Sequence, residues 1–170
     1  MNVMRELRIS KVTVNIGVGE GGEKLAKAEN LLEKLTEQKP LKTLARSTNP
    51  TFGIRKGVPI ACKVTLRKEK AEKFLRKALD AVERKLKSTN FDNLGNVSFG
   101  IKEHIDIPGV RYDPAVGIFG MDVCLTVERP GYRIKRRKVL QKKISKSHSI
   151  AKEEAINFMK EKYNVSVEND

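Results

Sequence analysis

Hydrophobic and polar residues alternate in four stretches of the chain, with the period of two that marks a β-strand buried on one face. In residues 11–16, Val12, Val14 and Ile16 alternate with polar side chains. The same pattern marks three further stretches, residues 60–67, 97–102 and 121–128. Each stretch predicts a strand with one apolar and one polar face.

Apolar residues recur at three- and four-residue spacing between the predicted strands, which is typical of amphipathic helices. On this basis, helices are predicted over residues 23–37 and 69–87. A last helix is predicted near residues 150–162, with Ser149 as its N-cap. The tail after Tyr163 is expected to fray.

The predicted elements follow the order β-α-β-α-β-β-α. One-sided strands with interspersed helices favour an α+β fold, in which an antiparallel or mixed sheet carries its helices on one face. A length of 170 residues favours a single domain, residues 1–170. The second face of the sheet must then meet water or a partner.

The net charge of +14 is unevenly distributed along the chain. Residues 38–68 contain eight Lys and Arg, residues 129–152 contain ten, and neither window contains an acidic residue. The rest of the chain has 17 basic and 21 acidic residues, so the entire excess comes from these two windows. Such a single-sign field favours a polyanionic partner. An anionic membrane is a weaker alternative, because neither window has the apolar face of an interfacial helix.

The polar residues of two predicted strands supply groups that suit RNA. Thr and Asn bind 2′-hydroxyls and base edges, and Lys and Arg bind phosphates. The chain has only six Phe, three Tyr and no Trp, so recognition of shape and backbone is favoured over stacking on single strands. We predict RNA contact at Lys11, Thr13, Asn15, Lys63, Thr65 and Arg67.

A long basic loop is predicted over residues 46–59, which contain two prolines and two glycines. Loops of this length without structure of their own are usually functional or disordered. Phe52 lies at the centre of this loop, where it either anchors the loop or stacks on a ribose or a base. A second loop is predicted over residues 104–120.

Three glycines, Gly17, Gly19 and Gly22, form the pattern G-x-G-x-x-G between a predicted strand and a predicted helix. This is the context of a dinucleotide site. However, the segment after the helix is Gln-Lys-Pro and a basic stretch, not a second parallel strand that ends in an acidic ribose ligand. A tight turn is the favoured interpretation, and an NAD-type enzyme is the alternative.

The sequence predicts no enzyme, no cofactor and no metal site. Its cysteines and histidines lack the paired spacing of metal ligands. Cys62 and Cys124 lie in strand-like apolar runs, so buried reduced thiols in a cytosolic protein are expected. No nucleophile motif accompanies the polar group at residues 103–106, so surface or hydrogen-bonded roles are expected for Glu103, His104 and Asp106.

Five segments form a recognisable series: VNIGVGE (14–20), TEQKP (36–40), GIRKGVPIACKVTLR (53–67), SFGIKEH (98–104) and FGMDVCLTV (119–127). In this order, over essentially the whole chain, they resemble the fifth-numbered family of large-subunit ribosomal proteins. RPGYRIKRRK (129–138) and SIAKEEAINFM (149–159) resemble the archaeal and eukaryotic branch of that family. Glu37 departs from the pattern, because many relatives have Gly at this position.

The resemblance implies a protein of the cytoplasmic ribosome that binds 5S rRNA through the outer sheet face and helps to attach it in the central protuberance. Large-subunit rRNA, P-site tRNA and neighbouring ribosomal proteins of the central protuberance are the other implied partners. Matched motif by motif, the 5S rRNA contacts fall on Asn15, Gln38, Thr65 and Arg67. The implied tRNA-facing loop contains Phe52, Gly53, Ile54, Arg55, Lys56 and Gly57.

The second basic window, residues 129–152, has no counterpart in the bacterial members of this family, so no partner can be transferred to it. Its charge alone predicts an additional contact with rRNA. The residues expected to make that contact are Arg133, Lys135, Arg136, Arg137 and Lys138.

Overall fold

The computed structural model describes residues 2–168, which form seven β-strands and three α-helices joined by loops and short 3-10 turns. The strands are β1 (Arg8–Gly17), β2 (Leu41–Leu44), β3 (Pro59–Leu66), β4 (Lys85–Lys87), β5 (Val97–Ile101), β6 (Met121–Glu128) and β7 (Ser166–Glu168). The helices are α1 (Glu23–Thr36), α2 (Lys68–Ala81) and α3 (Lys152–Tyr163).

Five strands form the main sheet, in the spatial order β2-β3-β1-β6-β5. Every neighbouring pair in this sheet is antiparallel. The predicted α+β fold with an antiparallel sheet is therefore confirmed. The central strand β1 buries Val12, Val14 and Ile16 completely, and the polar residues between them remain partly exposed. The apolar side is called the inner face below, and the polar side the outer face.

The helices pack against the inner face and close a hydrophobic core. Leu25 and Leu32 of α1 and Leu75 and Leu79 of α2 are buried in the same cluster as the inward residues of the strands. Met159 of α3 joins this cluster with no exposed surface. Burying a Leu side chain contributes about 1.5–3 kcal/mol, so one continuous cluster of this kind stabilises sheet and helices together.

Helix α2 is shorter than the sequence predicts, because it ends at Ala81 and not near residue 87. Glu83 and Arg84 adopt left-handed backbone angles, with φ of 53° and 55°, which a continuing helix does not tolerate. The chain then enters β4, so Leu86 reaches the core from a strand.

The end of the chain departs from prediction in two ways. The segment after Tyr163 does not fray within the described residues, because β7 pairs in parallel with β4. Helix α3 begins at Lys152 with Ala151 as its N-cap, so the assignment of Ser149 as the cap is wrong. The Ala151 N–H donates to the Glu154 carboxylate at 3.1 Å, which is the half of a capping box that needs no side-chain oxygen at the N-cap.

Two leucines on neighbouring strands test the assignment of faces. Leu66→Ala removes a fully buried side chain, and we expect it to lower the free energy of unfolding by about 2–5 kcal/mol. Leu41→Ala is the matched control, because Leu41 is 63% exposed and its truncation leaves no cavity. Urea denaturation followed by circular dichroism measures both values. Equal losses from the two variants would contradict the burial pattern.

Candidate nucleic-acid interface

The predicted contact residues of β1 and β3 lie side by side on the outer face. In the antiparallel register, Thr13 is opposite Thr65 and Asn15 is opposite Lys63. Directly opposed side chains of this kind have Cβ atoms about 4.5–5.5 Å apart. Lys11 precedes the pair formed by Val12 and Leu66, so position 11 lies across from position 67. Arg67 keeps an extended backbone (φ −140°, ψ 161°) and an exposed side chain at the end of this row.

Gln38 reaches the same strand from the far end of α1. Its Nε2 donates to the Thr65 carbonyl at 3.2 Å, so the Gln38 side chain lies against the backbone of β3 beside the outer-face row. The turn that delivers it has Glu37 in the left-handed region, with φ of 51°. Gly, the residue that the family resemblance leads one to expect at this position, adopts this conformation without strain. The structure thus brings Asn15, Gln38, Thr65 and Arg67 onto one surface.

Strand β6 widens the outer face by residues that the sequence analysis did not include. Asp122 is opposite Asn15, Cys124 is opposite Thr13, and Thr126 is opposite Lys11. The prediction that Cys124 is buried is wrong, because it alternates with the buried Val123 and Leu125 and so faces outward. The alternation within residues 121–128 already indicated that Cys124 faces outward, but the apolar character of cysteine favoured a buried position. Cys62 is fully buried, as predicted.

The outer face is polar and positively charged on one side. Small polar residues occupy its middle rows, where Thr65, Thr13, Cys124 and Ser98 lie in register across four strands. Lys11, Lys63 and Arg67 concentrate positive charge on the β1 and β3 half, whereas β6 contributes Asp122. A sheet surface of small polar side chains with a basic border suits the backbone and 2′-hydroxyls of a structured RNA better than a single strand with splayed bases.

The loop over residues 46–59 is the tip of the β2–β3 hairpin and has a structure of its own. The backbones of Asn49 and Ile54 exchange two hydrogen bonds of 2.8 and 3.0 Å. Below them, Ala45 and Val58 are joined by a hydrogen bond of 2.9 Å, and a 3-10 turn covers Pro50–Phe52. The four-residue strand β2, which leads into this tip, was not predicted.

The side chains of the hairpin tip point into solvent. Phe52 is 74% exposed, so the structure excludes the alternative that Phe52 anchors the loop. Arg55 and Lys56 are also exposed, and Ile54 is half-buried. Gly53 and Gly57 have φ of 65° and 87°, which L-residues adopt only with strain. The tip therefore offers one aromatic ring and two cations in a fixed turn.

The second basic window, residues 129–152, is a loop whose two ends are fastened to each other. The guanidinium of Arg129 is almost fully buried and pairs with the Glu154 carboxylate at 2.7 Å. The same guanidinium donates to the Ser149 carbonyl at 3.2 Å. The Tyr132 hydroxyl donates to the His148 carbonyl, also at 3.2 Å. These contacts close the base of the loop and leave its basic residues at the surface.

The five predicted rRNA-contacting residues of this window differ in their surroundings. Arg136 pairs with Glu128 at 2.7 Å, and Arg137 donates to the Leu140 carbonyl at 2.7 Å. The other three are exposed and make no side-chain hydrogen bond within residues 2–168; they are Arg133, Lys135 and Lys138. Because Glu128 ends β6 and pairs with Arg136, this part of the second basic window lies beside the outer face. Both acid-free windows therefore border the same surface.

The glycine pattern forms a tight turn, as favoured. The N–H groups of Val18 and Gly19 donate to the Ile60 carbonyl at 3.1 and 2.9 Å. Strand β1 is antiparallel to β3, so the parallel βαβ unit of a dinucleotide site is not formed.

His104 is buried and accepts a hydrogen bond from the Phe119 N–H at 3.3 Å through Nδ1, which is the hydrogen-bonded role that was expected.

No group of three or more His, Cys, Asp or Glu side chains within residues 2–168 is arranged to hold a metal ion. No helix in the same range is both long enough and apolar enough to cross a membrane.

Comparison with known proteins shows to which family the chain belongs. Residues 2–55 match the family model described as ribosomal protein L5, and residues 59–163 match the model for the C-terminus of the ribosomal L5 family. The large ribosomal subunit protein uL5 of Methanosphaera stadtmanae is 57% identical over 168 residues, which cover 99% of this chain and 100% of that protein. The proteins of the same name from Methanobrevibacter smithii and Sulfolobus acidocaldarius are 55% and 57% identical, over 98% of this chain and 98% and 93% of theirs.

These matches define the class as structural proteins of the large ribosomal subunit, which are not enzymes. Within that class, the chain belongs to the ribosomal protein L5 family. The relatives named above are all archaeal, in agreement with the branch that the C-terminal motifs resemble.

The two thiols provide a test of the outer face. Partial burial and the nearby Asp122 carboxylate raise the pKa of the Cys124 thiol, so less thiolate is present at neutral pH and alkylation is slow. We expect Cys124 to react with iodoacetamide in the native protein and Cys62 to react only after unfolding. Asp122→Asn lowers the pKa of Cys124 towards its ordinary value and should accelerate its alkylation at a given pH. Mass spectrometry of native and urea-treated samples measures this, and modification of native Cys62 would contradict the assignment of faces.

Proposed function

We propose that this protein binds 5S rRNA through the outer face and helps to attach it to the large subunit of the cytoplasmic ribosome, in the central protuberance. The observation that carries the proposal is the register of β1 and β3, which collects Lys11, Thr13, Asn15, Lys63 and Thr65 on one exposed surface with Arg67 at its end. The family resemblance implies the same surface for 5S rRNA. Membership of a ribosomal family supports an rRNA partner.

The chemistry of this surface divides into two roles. Lys11, Lys63 and Arg67 attract phosphates without regard to sequence. Thr13, Asn15 and Thr65 supply donors and acceptors for 2′-hydroxyls, which distinguish RNA from DNA. The proposed complex is therefore positioned by charge and selected by the shape of the RNA. Because the RNA binds only the outer face in this proposal, the inner face and its helices serve to stabilise the fold.

We propose a separate partner for the hairpin tip, the P-site tRNA. The tip presents Phe52, Arg55 and Lys56 at the end of a hairpin that continues beyond the sheet, so these side chains and the outer face can hold two different RNAs. The exposed ring of Phe52 is free to stack on a ribose or a base. In the same proposal, the second basic window meets large-subunit rRNA, with neighbouring ribosomal proteins around it.

Arg67→Lys tests the outer face. The change keeps the positive charge but removes the planar fork that binds two oxygens at once. We expect 5S rRNA binding to weaken by about 1–3 kcal/mol, the scale of one good bidentate contact. The slope of affinity against salt concentration should stay unchanged, because the charge is preserved. Titration of 5S rRNA with the folded variant at several salt concentrations measures both quantities.

The matched control is Arg76→Lys, an exposed arginine on α2, which packs against the inner face. This variant should bind 5S rRNA as the wild type does. Bound 5S rRNA should also protect Cys124 from alkylation, since the thiol lies in the row of Thr13 and Thr65. Wild-type affinity of Arg67→Lys, or unprotected Cys124 in a saturated complex, would remove the outer face from the binding site.

A double variant, Arg55→Ala with Lys56→Ala, separates the hairpin tip from the outer face. We expect its affinity for 5S rRNA to change by less than about twofold, because the tip is not part of the outer-face rows. Retention of P-site tRNA on assembled ribosomes should fall, since two cations are lost at the tip. Filter binding of labelled tRNA to reconstituted ribosomes measures this effect.

The charge-matched control for the tip is Arg76→Ala with Lys77→Ala on α2. This variant loses the same two charges from the opposite side of the molecule and should leave tRNA retention unchanged. If the tip variant instead lost 5S rRNA while remaining folded, the proposed division between tip and outer face would be wrong.

A further inference from the structure

A cavity of about 270 Å³ lies where the second basic window crosses the end of β6. Thr126 and Glu128 form one wall, and both belong to the outer face because they alternate with the buried Val127. Tyr132, Lys135 and Lys143 of the basic window also line the cavity. The volume is just below the range of about 300–1,000 Å³ typical of small-molecule pockets, so it suits a single nucleoside and not a longer segment.

The walls of this cavity combine apolar surface with cations at the rim. Tyr132 and Ile144 are half-buried and offer flat or branched apolar contact to the faces of a base. Lys135 and Lys143 are exposed and make no side-chain hydrogen bond within residues 2–168, so their ammonium groups are available to a phosphate. A nucleotide joins these chemistries, because its base is a planar apolar body and its backbone is anionic.

Glu128 is the acidic residue among the side chains that line this cavity. Its side chain is only 13% exposed, and Arg136 donates to Oε2 at 2.7 Å. An ionised carboxylate has about four acceptor sites, so one guanidinium contact leaves others unused. The ion pair with Arg136 holds the carboxylate in place. A carboxylate fixed at the border of the basic outer face distinguishes bases by the hydrogen-bond donors that they present.

We propose that this cavity binds one unstacked guanosine of the rRNA that the protein holds, with Glu128 accepting from the base; this inference rests on the proposed function. Guanine presents two adjacent donors, N1–H and N2–H, on its Watson–Crick edge, and a carboxylate accepts from both. Adenine and cytosine place a ring acceptor beside their amino group, and uracil places its single N–H between two carbonyls, so each of them sets an acceptor against the carboxylate. Reading of splayed bases on this edge is common in RNA recognition.

A simpler role for Glu128 would be to fix Arg136 and nothing more. Two variants separate these roles. Glu128→Gln keeps the shape of the side chain but replaces one acceptor oxygen by a donor amide. Arg136→Gln removes the guanidinium and leaves the carboxylate of Glu128 in the cavity. If Glu128 acts only through Arg136, Glu128→Gln either leaves RNA recognition unchanged, because the amide oxygen still accepts from the guanidinium, or changes it in the same way as Arg136→Gln.

Inosine interference tests the proposal on the full chain. Inosine lacks the N2 amino group of guanosine, and phosphorothioate-tagged inosine is placed at random in 5S rRNA and in large-subunit rRNA fragments. RNA retained by the protein is then cleaved with iodine to find the positions where inosine prevents binding. For the wild type, we expect a guanosine position at which inosine weakens binding about tenfold, the scale of one hydrogen bond to a charged group.

The variants decide the assignment. Interference at this position should disappear with Glu128→Gln and persist with Arg136→Gln, which should only lower the affinity for all RNAs alike. Circular dichroism checks that both variants are folded. Loss of interference with both variants, or an identical interference map for wild type and Glu128→Gln, would overturn the guanosine site while RNA binding itself stands. If the wild type retains neither RNA, the proposed function fails, and with it this inference.

Discussion

The register of β1 against β3 and β6 is the constraint on which both faces of this protein depend. A slip of one residue would turn every side chain of β1 to the opposite face, so Val12, Val14 and Ile16 would leave the core as Lys11, Thr13 and Asn15 entered it. The cost of exposing three fully buried aliphatic side chains is several times about 1.5–3 kcal/mol. The packing of the core therefore fixes the spacing of the polar rows outside it. Because the two faces are set by one register, a substitution on the outer face can change recognition while the fold is kept.

The two basic windows reach the same surface by different physical means. The first continues from the sheet as a hairpin, whose backbone pairing at Asn49 and Ile54 orders the tip. The second is an irregular loop, and its position depends on the buried Arg129 guanidinium, which binds Glu154 of α3 and the Ser149 carbonyl. Removing Glu154 would leave the buried guanidinium without its counter-charge, so this contact is a strong tie. Helix α3 thus positions a segment that precedes it in the chain.

Much of the fold was predictable from alternation, and the errors have physical causes. The four long strands and two of the three helices within residues 2–168 appear where the period of the apolar residues indicates. Helix α2 was predicted too long because Val82 and Leu86 continue its spacing, and nothing in Glu83 or Arg84 announces a left-handed turn. Strand β7 forms by pairing with β4, a contact about 80 residues apart in the chain that local patterns do not encode.

The candidate site was likewise predictable only in part. The outer-face residues of β1 and β3 follow from alternation alone. Asp122, Cys124 and Thr126 were not predicted as site residues, because the apolar residues around them identified the strand only by its buried face. Gln38 was found through the family resemblance and not through any period, since it follows a helix end. The cavity beside Glu128 was beyond prediction, because β6 forms it together with an irregular loop whose course no sequence period indicates.

Two strained helix boundaries adjoin the proposed 5S rRNA contacts. Glu37 and Lys68 both have left-handed backbone angles, with φ of 51° and 53°, at a cost of about 1 kcal/mol or more each. Each lies next to a proposed contact, Gln38 or Arg67. The two boundaries are also joined, because Lys70 Nζ donates to the Glu37 carbonyl at 2.9 Å and Gln38 Nε2 donates to Thr65 at 3.2 Å. Strain of this kind persists only where surrounding contacts enforce it. The left-handed residues permit sharp changes of direction at the end of α1 and at the start of α2. These turns bring Gln38 and Arg67 to the edge of the outer face, where a single RNA backbone can meet both.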